Sequence, residues 1–288
     1  MENHCKFNYL FILFTLLAVV SCKSQKPKFT SPPGYDFSKP SRFPMPDKLR
    51  EISGIAFLNG NSDTVYAEED ENGRVYHFKP GDKTWPSTRF GKNGDFEDIS
   101  ILNNYVIMLR SDGYLFTFPV SETKKAEANQ VKEFKHLMPD GEYEGLAAEE
   151  PGGKIYVLCK HCDDEKTRKW GGGSILQMDA SGNLIAVGKF EIDIKAIDAA
   201  DNTQGINFHP SALARNPVTR EWFVLSSVNK LLVITDENWK VKSVFPLDPS
   251  LFEQPEGMAF DKKQNLYISN ERGQANAANI LLFPYHKN

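Results

Sequence analysis

A four-residue motif that recurs five times along the chain constrains the fold more than any other feature of the sequence. It consists of an acidic or hydroxyl residue, a small residue, an aliphatic residue and a second small residue, with Asp98 as the one exception at the first small position. Successive copies are 44, 47, 67 and 45 residues apart, a spacing typical of repeat architectures. The copies are Ser53-Gly54-Ile55-Ala56, Glu97-Asp98-Ile99-Ser100, Glu144-Gly145-Leu146-Ala147, Ser211-Ala212-Leu213-Ala214 and Glu256-Gly257-Met258-Ala259.

Each motif begins a block of strand-like segments. A β-branched or aromatic run follows the motif and a third apolar run comes next, as in Val65-Tyr66-Ala67 and Val75 to Phe78. Turn-forming pairs such as Asn72-Gly73 separate these two runs, as expected for hairpins. A fourth segment ends in phenylalanine in four blocks, at Phe90, Phe134, Phe190 and Phe245.

The fifth block lacks this fourth segment, but Ser41-Arg42-Phe43-Pro44 near the N-terminus parallels Ser243-Val244-Phe245-Pro246. We therefore predict that the N-terminal segment completes the last block, which is how a β-propeller closes. The predicted fold is an all-β, five-bladed β-propeller closed by an N-terminal outer strand, with residues 40–288 as a single domain. The small motif residues suit innermost strands crowded around a central axis. A six-bladed propeller and an all-β sandwich are the alternatives.

The third interval is about 20 residues longer than the usual propeller period of roughly 40 to 45. We expect the extra residues to form inserted loops over residues 163–173 and 191–207, at one face of the ring. The charged run from Glu68 to Glu71, like the run over residues 163–169, is predicted to be a solvated hairpin tip.

The N-terminal segment has the features of an export signal. Tyr9 to Val20 is a largely apolar stretch that is too short to cross a bilayer, which needs about 20 residues. It leads into Val19-Val20-Ser21-Cys22, which resembles a bacterial lipobox. We predict a lipoprotein signal peptide over residues 1–21, lipidation of Cys22 and a polar tether over residues 22–39; a plain signal peptide is the alternative. The predicted location is the cell envelope, with the protein lipid-anchored at the outer membrane and facing the periplasm.

Two cysteines remain in the predicted domain, Cys159 and Cys162, in a Cys-Lys-His-Cys segment. In an oxidising compartment such a pair is a candidate structural disulfide. A thioredoxin-like role would need a helix after the first cysteine, and a zinc site would need a second ligand pair. Those two readings and free thiols remain the alternatives.

The first residues of the five motifs should form a ring at one mouth of the channel. Clustered carboxylates raise one another's pKa and need protons, basic partners or a bound cation. An all-oxygen ligand set suits calcium, and a nearby histidine, His209, allows a mixed site. The alternative is that Arg110 or Arg272 neutralises the ring through salt bridges. The predicted metal ligands are Ser53, Glu97, Glu144, Ser211, Glu256 and His209.

The charge balance and the motif inventory exclude several functions. The chain has 34 basic and 38 acidic residues, a formal net charge of -4, so no basic excess points to nucleic acid. The sequence contains no phosphate-binding glycine loop, no Gly-x-Ser-x-Gly and no His-Glu-x-x-His. No catalytic residue is therefore assigned.

Taken together, the motifs resemble the SdiA-regulated family of exported bacterial proteins, over roughly residues 40–286. The resemblance rests on the five motifs in order, including Tyr143-Glu144-Gly145-Leu146-Ala147 and Pro255-Glu256-Gly257-Met258-Ala259. It implies a five-bladed propeller, distantly similar to NHL-repeat propellers, with an associated calcium ion.

Two function classes follow. The favoured one is a non-enzymatic, lipid-anchored propeller that binds calcium and a small-molecule or protein ligand at the channel mouth. The other is a calcium-dependent hydrolase of phosphoesters or lactones, by analogy with phytase-like and lactonase-like propellers, although fold analogy is weak support for a reaction type. A phosphate-processing site should contain several basic residues. The candidates at plausible positions are Arg110, Lys160, Lys230 and Arg272.

Overall fold

The computed structural model describes residues 29–162, 170–201, 205–273 and 277–287. Their strands form five four-stranded antiparallel sheets. The innermost strands contact one another in a closed cyclic order, so the five sheets are blades around a central channel. The five-bladed β-propeller is confirmed, and the six-bladed and sandwich alternatives are wrong. The predicted signal peptide and Cys22 lie outside the described residues.

The strands occur in chain order within each blade. Blade 1 contains β2 (Ile52–Ala56), β3 (Val65–Glu69), β4 (Arg74–Phe78) and β5 (Ser87–Arg89); blade 2 contains β6 (Phe96–Leu102), β7 (Tyr105–Arg110), β8 (Leu115–Pro119) and β9 (Lys132–Phe134). Blade 3 contains β10 (Gly141–Glu149), β11 (Lys154–Cys162), β12 (Trp170–Met178) and β13 (Leu184–Asp193); blade 4 contains β14 (Ala212–Arg215), β15 (Trp222–Ser226), β16 (Leu231–Thr235) and β17 (Val241–Pro246). Blade 5 contains β18 (Pro255–Phe260), β19 (Leu266–Asn270), β20 (Asn279–Phe283) and the N-terminal strand β1 (Ser41–Pro44).

The described ranges also contain short helices. One α-helix, α1 (Ile194–Asp201), packs against β17 of blade 4. Three 3-10 helices span Asp47–Leu49, Leu58–Gly60 and Val120–Lys124. Within these ranges no helix combines the length and the apolar character that crossing a bilayer requires.

The ring is closed as the sequence predicted. Strand β1 pairs antiparallel with β20, with Phe43 opposite Ile280. The amide of Met45 then donates to the carbonyl of Ala278 at 2.8 Å. The resemblance of this segment to residues 243–246 has a structural cause, because β1 and β17 occupy the same outer position of their blades.

The packed chain begins earlier than the predicted boundary at residue 40. Tyr35 and Phe37, inside the segment predicted to be a tether, are buried in the core cluster of blades 4 and 5. The Tyr35 hydroxyl donates to the carbonyl of Gln264 at 2.7 Å, and the Phe37 ring centroid lies 4.5 Å from that of Phe283. The segment from residue 29 is therefore anchored to the propeller by aromatic packing.

The hydrophobic core lies between the blades. The described residues form five apolar clusters, each drawn mainly from two neighbouring blades. Alternation along an innermost strand serves both neighbours: Leu213 packs towards blade 3, while Ala212 and Ala214 pack towards blade 5. This is the period of two expected of a strand that is buried on both faces.

The extra residues of the long interval between the third and fourth motifs form structures other than the predicted loops. Instead of forming a loop, Gly171, Gly172 and Gly173 belong to β12, and Gly173 pairs with Leu158 of β11. Residues 194–201, expected in a loop, form α1. The extra residues therefore lengthen the β11–β12 hairpin of blade 3 and add helix α1, which packs against blade 4. Residues 163–169 lie outside the described ranges.

Candidate functional site

Local register shifts place the motif glutamates at one mouth of the channel. In blade 2 Phe96 pairs with Arg110 and Asp98 with Leu109, so Glu97 has no cross-strand partner. The same shift leaves Glu144 unpaired in blade 3 and Glu256 unpaired in blade 5. Such β-bulges turn a side chain away from its regular direction and are frequent at the rims of closed sheets. The three predicted acidic ligands therefore occupy equivalent bulge positions.

The glutamates are close enough to influence one another's ionisation. Burial, followed by the charge of Glu144, raises the pKa of Glu97. Burial also raises the pKa of Glu256 to about 7, with Glu144 adding to the effect and a hydrogen bond from Ser227 opposing it. Burial raises the pKa of Glu144 as well, against the opposing effect of Lys160. This is the repulsion expected when carboxylates converge in a poorly solvated mouth.

Lys160 is the lysine that forms ion pairs with the described acidic groups of this mouth, and the charge of Lys230 also acts on Glu256. Its ammonium lies 2.6 Å from Glu144 Oε1 and 3.1 Å from Glu142 Oε1. The predicted alternative, neutralisation by Arg110 or Arg272, names the wrong residues. Arg110 pairs with Asp112 at 2.7 Å, and among the described residues Arg272 forms no ion pair.

Glu271 joins the mouth although the sequence did not identify it. It follows β19 directly, and burial and the charge of Glu256 raise its pKa to about 8. Ser53 donates to Glu271 Oε1 at 3.3 Å. Glu271 comes one residue after Asn270, the polar residue that ends β19, so that strand end was the available signal.

The two predicted serine ligands are buried and differ in their contacts. The Ser211 hydroxyl donates to the carbonyl of Pro255 at 3.1 Å and accepts from the amide of Ser227 at 3.2 Å. It therefore joins blades 4 and 5. Ser53 remains next to the acidic groups through Glu271.

His209 contacts residues other than the ring glutamates. Its Nε2 lies 2.7 Å from Asn207 Nδ2, and its ring is edge-on to His161 with centroids 5.0 Å apart. Burial, then the positive charges of His161 and Lys160, lower the pKa of His209. The structure therefore places His209 beside the mouth, in a pair with His161.

The acidic run from Glu68 to Glu71 begins inside β3, and its first two residues are buried instead of lying at the solvated tip that the sequence suggested. Glu68 is 0% exposed, and its Oε1 accepts from the amide of Gly54 at 2.6 Å. Asp98 is also buried and accepts from the amides of Ile99 and Leu146, at 2.7 and 2.6 Å. Asp98 thus links the inner strands of blades 2 and 3. Among the described residues Glu68 Oε2 has no hydrogen-bond partner, and burial raises the pKa of Glu68, which favours its protonated form.

The donor chemistry at the mouth suits calcium, but the described side chains do not form a complete ligand set. Among the residues that the structure describes, no three His, Cys, Asp or Glu side chains come together closely enough to hold one metal ion. Lys160 already contacts one of the three motif glutamates. Calcium would therefore require Lys160 to move or other oxygens to contribute.

The opposite mouth of the channel has a different character. A concavity of about 300 Å³ there is lined by small motif residues, including Ala56, Ala147 and Ala214. Glu149 at its rim forms ion pairs with both Arg215 and Arg220. Because these charges are satisfied within the protein, the acidic mouth is the stronger candidate for ligand binding.

The comparisons with known proteins agree with the fold. The family described as SdiA-regulated matches residues 43–273. No curated protein sequence matches the chain. The solved glutaminyl cyclase of Myxococcus xanthus is similar with a TM-score of 0.58 and 12% identity, over 86% of this chain and 96% of that chain. The calcium-binding protein regucalcin from Agrobacterium tumefaciens str. C58 has a TM-score of 0.51 and 10% identity, over 85% and 95% respectively. At these identities the likeness shows the fold alone.

Proposed function

The chain belongs to the SdiA-regulated family, and from the geometry of its acidic mouth we propose that it is a non-enzymatic binding propeller that takes up a calcium ion together with a ligand or partner. One observation carries the proposal. Three glutamates occupy equivalent bulges and converge at one mouth, with Lys160 as their nearby basic partner. Such a cluster favours the arrival of positive charge.

Calcium is the cation that the donors favour. Glu97, Glu144, Glu256 and Glu271 would supply carboxylate oxygens, the ligand type that calcium prefers. A bound ion would organise the mouth and offer open coordination positions to an acidic or hydroxylated ligand. Regucalcin is described as calcium-binding, but at 10% identity the likeness reaches only the fold, so the proposal depends on the glutamates.

Calcium titration by calorimetry tests the proposal on the exported chain. We expect one ion to bind, and Glu97→Gln or Glu256→Gln to weaken binding by at least about tenfold, because each removes a full negative charge within a few Å of the ion. Glu237→Gln, an exposed change near Arg215, is the matched control and should leave binding unchanged. Absence of binding by the unaltered protein would refute the calcium proposal.

The same titration should depend on pH. Because the pKa values of Glu256 and Glu271 lie at about 7 and about 8, both are largely protonated at pH 5.5 and more ionised at pH 8.5. Protons and calcium compete for the same oxygens, so the affinity should fall as the pH is lowered through this window. An affinity that stays constant between pH 5.5 and 8.5 would contradict a site built from these groups.

A second candidate, hydrolysis, has one observation in its favour. A glutamate with a pKa near 7, as for Glu256, is suited to act as a general base. A screen of phosphoesters and lactones, with and without calcium, tests this candidate. Turnover that is lost in Glu256→Gln would favour the hydrolase.

We also propose that the protein is anchored to a membrane through a lipid on Cys22 and faces the periplasm. The support is the lipobox-like segment Val19-Val20-Ser21-Cys22. We expect the unaltered protein in the membrane fraction and Cys22→Ser in the soluble fraction, with Cys5→Ser as the matched control that still fractionates with membranes. Mass spectrometry of the mature N-terminus should show an acylated Cys22. An unmodified thiol there would exclude the anchor.

A further inference from the structure

Lys160 reaches the mouth through a β-bulge in β11. Among the described pairings of first and second strands, only that of blade 3 contains such a bulge in the second strand. Glu142 pairs with His161 and Tyr143 with Cys159, so Lys160 is an extra residue on β11. The next shift, between Tyr143 and Gly145, makes Glu144 the extra residue on β10. Two consecutive bulges on facing strands therefore direct the side chains of Lys160 and Glu144 to the same point. In the other four blades the second strand has no such extra residue.

A disulfide closes the Lys160 bulge. Cys159 and Cys162 are joined, with their Cα atoms 6.2 Å apart, and only Lys160 and His161 lie between them. On the facing strand Tyr143 pairs with Cys159 and Gly141 with Cys162, so the cross-link spans the irregular stretch of the ladder. The arrangement limits the positions that the Lys160 backbone can take.

The Lys160 ammonium contacts two carboxylates of the acidic mouth, those of Glu142 and Glu144. The Lys160 side chain is 26% exposed and its partner Glu144 is 9% exposed, so their attraction is only partly screened by water. A lysine ammonium is charged at neutral pH. Its charge also acts on Glu97 and Glu256. An incoming cation must therefore share these carboxylates with Lys160 or displace it.

We infer that Lys160 is a tethered cation that competes with the diffusible ligand of the acidic mouth, and that the Cys159–Cys162 disulfide holds it in this position. The inference rests on the proposed function, because it concerns the same mouth. Lys160 thereby raises the charge and the concentration that a ligand needs in order to bind at the mouth.

Calcium titration of Lys160 variants tests the inference. Lys160→Met should bind calcium at least about tenfold more tightly than the unaltered protein, because a positive charge close to the ion is removed. Lys160→Arg keeps the charge and should bind close to the unaltered protein. The matched control is Lys154→Met, which makes the same change at the far end of the same strand and should have no effect. Circular dichroism of each variant checks that the propeller is folded.

Opening the disulfide is the second arm. A dithiol reductant transfers two electrons to the sulfur pair, giving two cysteine thiols while the reductant becomes a disulfide. The released bulge should hold Lys160 less firmly, and calcium affinity should rise by at least about threefold. Cys159→Ser/Cys162→Ser should reproduce this gain without reductant, and reductant should then have no further effect.

The outcomes separate the inference from the proposed function. If the unaltered protein binds calcium and Lys160→Met binds equally or more weakly, the inference is overturned while the proposed function stands. If calcium binds to Lys160→Met but not detectably to the unaltered protein, the competition is supported while the proposed function of the unaltered protein is overturned. If calcium binds to neither, both are overturned.

Discussion

Replacing Gly257 with alanine is expected to lower the free energy of unfolding by more than about 3 kcal/mol, the upper part of the range for overpacked cores. A Cβ at this position would overlap the Ser53 carbonyl oxygen of blade 1 and would lie 3.0 Å from the Cα of Gly54. The obstruction is backbone, so no side-chain rotation can relieve it. The blades would have to separate at the point where the ring is narrowest.

The measurement is urea denaturation followed by circular dichroism, with Gly188→Ala as the matched control. Gly188 is also a strand glycine, in β13, but a Cβ there meets nothing closer than 3.9 Å. This control should change stability by no more than about 0.5 kcal/mol, as is usual for surface substitutions. Equal effects at the two positions would show that crowding at the axis does not limit stability.

The second large effect is expected at Phe37. Changing it to alanine should lower the free energy of unfolding by about 3 to 5 kcal/mol, as for other buried aromatic residues. Phe37 is 6% exposed and its ring packs on those of Phe252 and Phe283. Phe29→Ala, in the same segment but 37% exposed, is the matched control and should have little effect.

Thermal and urea unfolding of the full chain provide the comparison for these two phenylalanine variants. If residues 29–39 were a flexible tether, as the sequence suggested, both variants would match the unaltered protein. A large loss for Phe37→Ala alone would instead show that the propeller needs this segment for its full stability.

The ring could be predicted because its geometry leaves a repeated mark on the sequence. The innermost strands pass close to the axis, where small residues fit best, and so Gly54, Gly145 and Gly257 recur at the same point of three units, with Ala212 there in a fourth. The closing strand was visible for a similar reason, since Phe43 and Phe245 lie in equivalent outer strands. Because the requirement for small residues near the axis repeats from blade to blade, it appears in the sequence as a repeated motif.

The composition of the mouth could be predicted only in part. The glutamates of the motif were found because they recur, whereas Lys160 and Glu271 belong to no pattern that repeats from blade to blade. A bulge adds one residue and reverses which side chains face the channel. Since alternation of polar and apolar residues carries no mark of that addition, the bulge that directs Lys160 into the mouth was not identifiable from the pattern. The burial of Glu68 was missed because a charged run normally lies in water.

The pairing of β1 with β20 has a consequence for how the chain reaches its native state. Ser41 lies opposite Leu282. The first strand to be synthesised therefore cannot pair until the last strand has been made. Contacts between residues so distant in sequence form slowly, because a very long loop must close. Blades 1 to 4 can assemble as the chain emerges, but the ring stays open until the end of the chain arrives. During that interval the unpaired edge of β1 and the uncovered aromatic rings of the N-terminal segment are exposed surfaces that favour aggregation.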